Sequence, residues 1–243
     1  MPIPRILVDL PLEKARRIIL PARASRHLVQ VLRLRAGDPL ILFNGDGRDF
    51  PGRLVIPAKD AVVVELDEPT TEEPIPMLQI HLGIGVSKGE RMDWVIQKAV
   101  ELGVTRITPL FTKRSVPRLS GERLQRRGQH WQGVLEAACE QSGRRRVPEL
   151  GESRSLAQWI AQRHPFPLLL DHRGDVALAE LPAPAGAMTL LVGAEGGLEP
   201  EERALSIRAG FTAVRLGPRI LRTETAPLAA IAAIQILWGD FRE

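Results

Sequence analysis

The sequence predicts an α/β protein in which a small β-rich unit precedes a larger domain built on a mainly parallel sheet. Three features carry that expectation. Short apolar runs flank an Asn-Gly turn within the first 70 or so residues, residues 67–76 hold four acids and three prolines, and beyond Met77 strand-like runs alternate with stretches of helical spacing.

Residues 40–43 and 53–56 are apolar runs on either side of Asn44, Gly45, Asp46 and Gly47. Asn-Gly between such runs is a strong hairpin signal. A further run at 61–66 completes the β-rich unit. The acidic, proline-rich stretch after it suits neither a helix nor a central strand, so the linker is placed there. The first domain is expected at 1–72 and the second at 73–243.

In the second domain, 77–86 reads as a buried strand, and Met92, Val95, Ile96, Ala99 and Val100 keep helical spacing until Gly103 can end the helix. A strand at 104–111 precedes a longer helix with Leu124, Trp131, Leu135 and Ala138 on one face, ending near Gly143. Then come a short helix at 156–160, strands at 166–171 and 188–193, a helix opened by Pro200, a strand at 211–216 and a last helix to Trp238. Strands separated by helices imply βαβ units and a sheet covered on both faces. The last helix is apolar almost all round and must be covered on every side, inside its own domain or by a second copy of the chain, and a homodimer is the favoured reading.

Composition excludes several classes. With 243 residues, 44% hydrophobic and 26% charged, the chain is neither collagen-like, low-complexity nor disordered. The single Cys139 excludes a disulfide within the chain and a cysteine-rich zinc module, and the five histidines lack ligand spacing, so no metal is expected. The first residues lack the basic-then-apolar pattern of a secretory signal. The longest nearly apolar run, 226–238, is short of the roughly 18 residues of a membrane span. A cytoplasmic protein without a membrane partner is expected.

Lys plus Arg number 33 against 29 Asp plus Glu, and the cations are nearly all Arg, whose planar fork suits phosphate. They cluster: Lys14, Arg16, Arg17, Arg23, Arg26, Arg33 and Arg35 occur with no acid between Lys14 and Gly37, and Lys113, Arg114, Arg118, Arg123, Arg126 and Arg127 form a second group. The triplet Arg144, Arg145, Arg146 is a third. Each alone reads equally well as a solvated face, but three together point to an anionic polymer.

Gly83, Gly85 and Gly89 follow a strand but miss the dinucleotide fingerprint, since Lys88 stands where its third glycine belongs, and no phosphate-loop Gly-Lys-Ser/Thr follows. Two loops remain, both after strand C-termini, where open α/β sheets place ligands. One runs Leu190, Leu191, Val192, Gly193, Ala194, Glu195, Gly196, Gly197; its glycines let backbone approach a ligand and Glu195 can accept a proton or hydrogen bond. The other runs Leu216, Gly217, Pro218, Arg219, Ile220, Leu221, Arg222, Thr223, Glu224, Thr225, Ala226, Pro227. Thr223 or Thr225 can cap the last helix, and Glu224 suits its positive end. That leaves Ile220 and Leu221 as candidate walls of an adenine-sized pocket.

These two loops resemble the cofactor loops of the SPOUT methyltransferases, and specifically of the bacterial small-subunit ribosomal RNA uridine-N3 methyltransferase (methyltransferase E) family. Lys88 to Arg91, Gln97 to Gly103 and Ala138 to Arg144 add to the resemblance, which runs from about residue 3 to the end; the Leu-Arg-Thr-Glu-Thr-Ala string at 221–226 is its most specific part. The resemblance implies a PUA-like β-barrel followed by a SPOUT domain with a trefoil knot, a homodimer, and S-adenosylmethionine held by Leu191, Gly193, Glu195, Gly197, Leu216, Gly217, Ile220, Leu221, Thr225 and Ala226. One departure is Ala194, where the family usually has Pro.

Methylation of uridine N3 in 16S ribosomal RNA, free or in the small-subunit particle, requires loss of the N3 proton, so a base or a cation facing the ring oxygens is needed. Arg222 is the candidate cation, and Glu195 or Glu224 the candidate base. Arg23, Arg26, Arg33 and Arg35 from the first domain, with Lys88, Arg91, Arg114, Arg118 and Arg144 further on, are candidate RNA contacts. The competing reading is a non-enzymatic RNA-binding or ribosome-assembly factor on the same fold. A nicotinamide oxidoreductase loses on the missing glycine pattern.

Overall fold

The structure, a computed structural model, describes residues 3–13, 17–115 and 120–242. These residues form two compact units, Met1–Ile75 with Cys139–Val147 and Pro76–Ala138 with Pro148–Glu243.

The first unit is a five-stranded mixed sheet of β1 (Arg5–Leu7), β2 (Arg17–Ile19), β3 (Pro39–Phe43), β4 (Phe50–Ile56) and β5 (Val63–Leu66), in the order β1-β3-β4-β5-β2. β3 and β4 pair antiparallel across the expected Asn-Gly turn, where Gly45 and Gly47 both have positive φ (90° and 98°). Alternation along these strands buries Leu40, Leu42, Leu54, Val64 and Leu66 in one core with Leu28. α1 (Ala22–Arg26) and the π-turn His27–Val31 bridge β2 and β3. The buried Ser25 joins them to the sheet: its hydroxyl donates to the Leu20 carbonyl and accepts from the Val62 N–H. β1, β2 and α1 span three to five residues each, too few to show a period in the sequence.

The second unit contains β6 (Gln79–Gly85), α2 (Arg91–Glu101), β7 (Arg106–Phe111), α3 (Gly121–Ser142), β8 (Glu149–Leu150), β9 (Arg154–Ser155), α4 (Leu156–Ile160), β10 (Pro167–Leu170), β11 (Val176–Ala177), β12 (Ala187–Val192), α5 (Pro200–Arg208), β13 (Thr212–Arg215) and α6 (Thr225–Trp238). The sheet order is β11-β13-β10-β12-β6-β7-β8, with β9 also on β7, and every pairing is parallel. The alternating reading thus located every long element, and the two-residue strands escaped it.

The last turn of α3 falls in the first unit, and its carbonyls need partners that the helix cannot supply. Arg5 meets two of them, Nη1 donating to the Cys139 carbonyl (2.9 Å) and the Glu140 carbonyl (3.4 Å), while Nη2 donates to the Arg144 carbonyl just beyond the helix (3.3 Å). Nη2 also pairs with Asp49 at 2.6 Å, and the guanidinium stacks on Phe43. Burial pushes the neighbouring Cys139 thiol up to about 11, so it stays protonated at neutral pH.

Within this one chain the last helix is covered on one side only. Ala230, Ile231 and Ile234 are buried, whereas Ile236 is 59% exposed. The buried polar residue of α6, Gln235, donates to the Leu102 carbonyl at the end of α2 (2.9 Å) and so ties the two helices together. No helix among the described residues is long and apolar enough to cross a membrane.

At the N-terminal end of β6, His81 shares a hydrogen bond of 2.8 Å with Thr108 and sits edge-on to the buried Trp159, beside His164. Burial, with Arg106 and His164 nearby, pushes the His81 imidazole down to about 3. An unfolded chain protonates this group near 6.5 and therefore binds more protons than the folded one between those values. Stability should fall as the pH drops from about 6.5 toward 3, His81 contributing up to about 1.4 kcal/mol per pH unit. Urea unfolding at stepped pH checks this: His81→Gln should flatten the slope, and an unchanged slope would assign the proton uptake elsewhere.

Candidate functional site

Because β13, β10 and β12 are adjacent and parallel, the loops that leave their C-terminal ends meet at one edge of the sheet. There they line a cavity of about 310 Å³, to which both loops singled out in the sequence contribute. Val192 to Gly197 form one wall, Leu216 with Ile220 and Leu221 another, and Leu169 with Asp171 the floor between them.

The glycine turn owes its path to backbone packing. A Cβ at Gly85, the last residue of β6, would lie 2.3 Å from the Ala194 nitrogen, and one at Gly193 would lie 2.8 Å from the Gly197 carbonyl carbon. Neither neighbour is a flexible side chain that could yield. The turn itself is closed by the Gly197 N–H donating to the Ala194 carbonyl at 2.7 Å, and Gly197 has a φ of 69°. Ala194 therefore sits in a hydrogen-bonded turn without the ring of a proline.

Of the residues assigned to a cofactor, Gly193, Glu195, Gly197, Leu216, Ile220, Leu221 and Ala226 line this cavity. Leu191, Gly217 and Thr225 do not. Leu191 points to the other face of β12 and packs with Leu110, Trp159 and Phe211 in the core, as the period of two along a strand requires. Neither threonine caps α6 with its side chain; Glu224 occupies the N-cap position, and the Thr225 N–H donates to the Arg222 carbonyl (2.9 Å).

Sequence reading missed the end of β10, where Asp171, His172 and Arg173 also line the cavity. Desolvation raises the Asp171 carboxyl, but hydrogen bonds from Arg173 and Arg203 outweigh it and hold it at about 2. The only signal was an apolar run ending in a polar cluster, 168–173, at a strand C-terminus.

The charged groups beside the cavity form a connected set. Glu195 accepts hydrogen bonds from the Lys88 backbone N–H (2.8 Å) and from Arg91 Nη1 (3.0 Å). Desolvation lifts its carboxyl and these donors more than reverse that, so it lies below the ordinary glutamate range. Glu224 stands 3.8 Å from Arg91 Nε and 3.9 Å from Arg222 Nη1. Arg222 is itself 82% exposed. On the far side of the turn, Arg114 donates to the Gly196 carbonyl and to Glu199.

The candidate RNA contacts divide accordingly. In the first unit, Arg23, Arg26, Arg33 and Arg35 are all exposed, with Arg26 3.6 Å from Asp60. Arg144 is half-buried there, and its neighbours Arg145 and Arg146 pair with Asp49 and Glu72. In the second unit, Lys88 is exposed, while Arg91 and Arg114 are engaged as described. Arg118 lies outside the described residues. No group of three or more metal-ligating side chains occurs among the described residues.

Comparison with known proteins finds an RNA methyltransferase domain over residues 73–235 and an RNA methyltransferase PUA domain over residues 20–67. The chain is 34% identical over 241 residues to the ribosomal RNA small subunit methyltransferase E of Buchnera aphidicola from Schizaphis graminum, covering 98% of both chains. It is 32% identical to the Bacillus subtilis protein of that name, covering 94% of this chain and 95% of the relative. The crystal structure of a Neisseria gonorrhoeae ribosomal RNA small subunit methyltransferase E bound to S-adenosyl methionine superposes with a TM-score of 0.94 at 39% identity, over 98% of this chain and 99% of that one.

The close approach at the turn has a measurable consequence. Gly85→Ala and Gly193→Ala are expected to lose about 1–3 kcal/mol each, as overpacking against backbone does. Gly128→Ala, inside α3 with open space around it, should be neutral or gain up to about 1 kcal/mol. Urea midpoints of the three variants decide the matter; equal effects would refute the steric account.

Proposed function

The chain belongs to the ribosomal RNA small subunit methyltransferase E family, and from that membership we propose that it methylates N3 of a uridine in 16S ribosomal RNA. What supports this reading most is that the glycine turn and the arginine-flanked loop line one cavity. Its volume, about 310 Å³, lies at the lower end of the range for small-molecule sites.

The residues present fit S-adenosylmethionine. Leu216, Ile220 and Leu221 offer an apolar wall for a purine, and Gly193 and Gly197 bring side-chain-free backbone to the cavity. The bound cofactor supplies a methyl group on a sulfonium, an electrophile that needs no metal. What this chain must add is alignment of the attacking nitrogen, exclusion of water and help with the N3 proton. Arg222, exposed at the rim, is the cation for the oxygens of the deprotonated ring. Glu195, held ionised by Lys88 and Arg91, is a weak base whose Oε1 already accepts two hydrogen bonds. Glu224, between Arg91 and Arg222 and with neither within hydrogen-bond distance, is the carboxylate better placed for proton acceptance.

The RNA is held by phosphate contacts from the exposed arginines 23, 26, 33 and 35 and from Lys88. Two copies of the chain pair through the uncovered face of α6, where Ile236 is exposed, together with Trp94 on α2 (52% exposed). In this reading the cavity loops belong to the trefoil knot that the family resemblance implies.

Arg222→Ala should abolish methyl transfer to small-subunit ribosomal RNA while leaving S-adenosylmethionine affinity by calorimetry within a few-fold. Equal loss of both would move Arg222 from chemistry to cofactor binding. Affinity for the same RNA should fall steeply as salt rises, since each neutralised phosphate releases counterions. A flat salt response would remove the exposed arginines from the interface.

A further inference from the structure

We propose that Arg91 is a positioning residue for methyl transfer, not a phosphate contact: through Glu195 and Glu224 it sets the spacing between the glycine turn and the loop that carries Arg222. The inference rests on the methyltransferase reading and assigns a device within that site.

The geometry is that of a bridge. Arg91 is the first residue of α2, and its guanidinium reaches one carboxylate from each of the two loops. Nη1 meets Glu195 at 3.0 Å, and Nε faces Glu224 at 3.8 Å. The chain reverses into α2 at Gly89, which has a φ of 60°, and this places the Lys88 N–H on the same Glu195 oxygen. Glu224 in turn stands next to Arg222. Glu195, Arg91, Glu224 and Arg222 therefore alternate in sign along one line that crosses from one loop to the other.

A phosphate at Arg91 would have to compete with Glu195, which takes Nη1 at 3.0 Å, and with Glu224 beside Nε. The second arginine beside the turn, Arg114, is engaged in the same way by Gly196 and Glu199, so the turn is held from both sides by cations that the sequence assigns to RNA. Exposed ion pairs of this kind add little to stability, so the bridge matters through geometry. Displacing the reacting groups by about 1 Å is enough to lower a rate by about two orders of magnitude. Lysine cannot replace the bridge, because a single ammonium lacks the planar fork that meets two carboxylates at once.

The test compares the native chain with Arg91→Ala and Arg91→Lys. Three quantities are measured: methyl transfer to small-subunit ribosomal RNA, the affinity and salt slope for that RNA, and the pH dependence of S-adenosylhomocysteine binding by calorimetry. Arg91→Ala is expected to lower kcat at least about tenfold. Its melting temperature should move by no more than about 4 °C, and its RNA affinity and salt slope should stay unchanged.

Without the cation Glu195 takes up a proton more readily, so the acid limb of S-adenosylhomocysteine binding should shift to higher pH. Arg91→Lys should return that limb toward the native position without restoring kcat. Weaker RNA binding with a shallower salt slope would make Arg91 a phosphate contact and overturn the proposal, as would an unaltered kcat and acid limb. Failure of the native chain itself to bind S-adenosylhomocysteine would overturn the methyltransferase reading, a result distinct from either.

Discussion

The cavity exists because two stretches of backbone touch where no side chain intervenes. Gly85 ends β6 against Ala194, and Gly193 turns the chain beneath Gly197, so the loop after β12 lies flat across the end of its neighbouring strand. A parallel sheet dictates that the loops after β10, β12 and β13 emerge at the same edge, but not how close they come. The missing Cβ atoms decide that. With the turn held down, Glu195 is aimed at the start of α2, and the space above is left for Leu216, Ile220 and Leu221 to close.

Charge in this chain is organised more locally than its composition suggests. Arg145 and Arg146 meet Asp49 and Glu72, Arg114 meets Glu199, and Arg91 meets Glu195. The proline-rich acidic stretch thus supplies partners for the arginine triplet as well as a connection between units. Beside the cavity Arg222 is only loosely paired, 82% exposed and 3.9 Å from Glu224. An arginine so placed keeps its donors for an anion that arrives from solution.

The two ends of β6 carry opposite demands. At its start, His81 is kept neutral by burial among Trp159, His164 and Arg106, and Gly83 makes room for the Trp159 ring, which a Cβ would approach within 2.4 Å. At its end, Gly85 and the Lys88 N–H serve the loops. Rigid aromatic packing below and permissive backbone above suit a strand that must hold a site still without filling it.

Periodicity and turn chemistry by themselves determined the parallel α/β domain, the Asn-Gly hairpin and the two loops, because each depends on neighbours within a few residues. The resemblance carried by residues 221–226 added a family and a set of site residues. Tertiary structure alone decided that Leu191 faces the core, that Asp171 belongs to the cavity floor, and that Arg91 and Arg114 face carboxylates. Those outcomes turn on which of two buried strand faces meets the cavity and on partners about 85 to 104 residues away along the chain, and a local pattern holds no record of either.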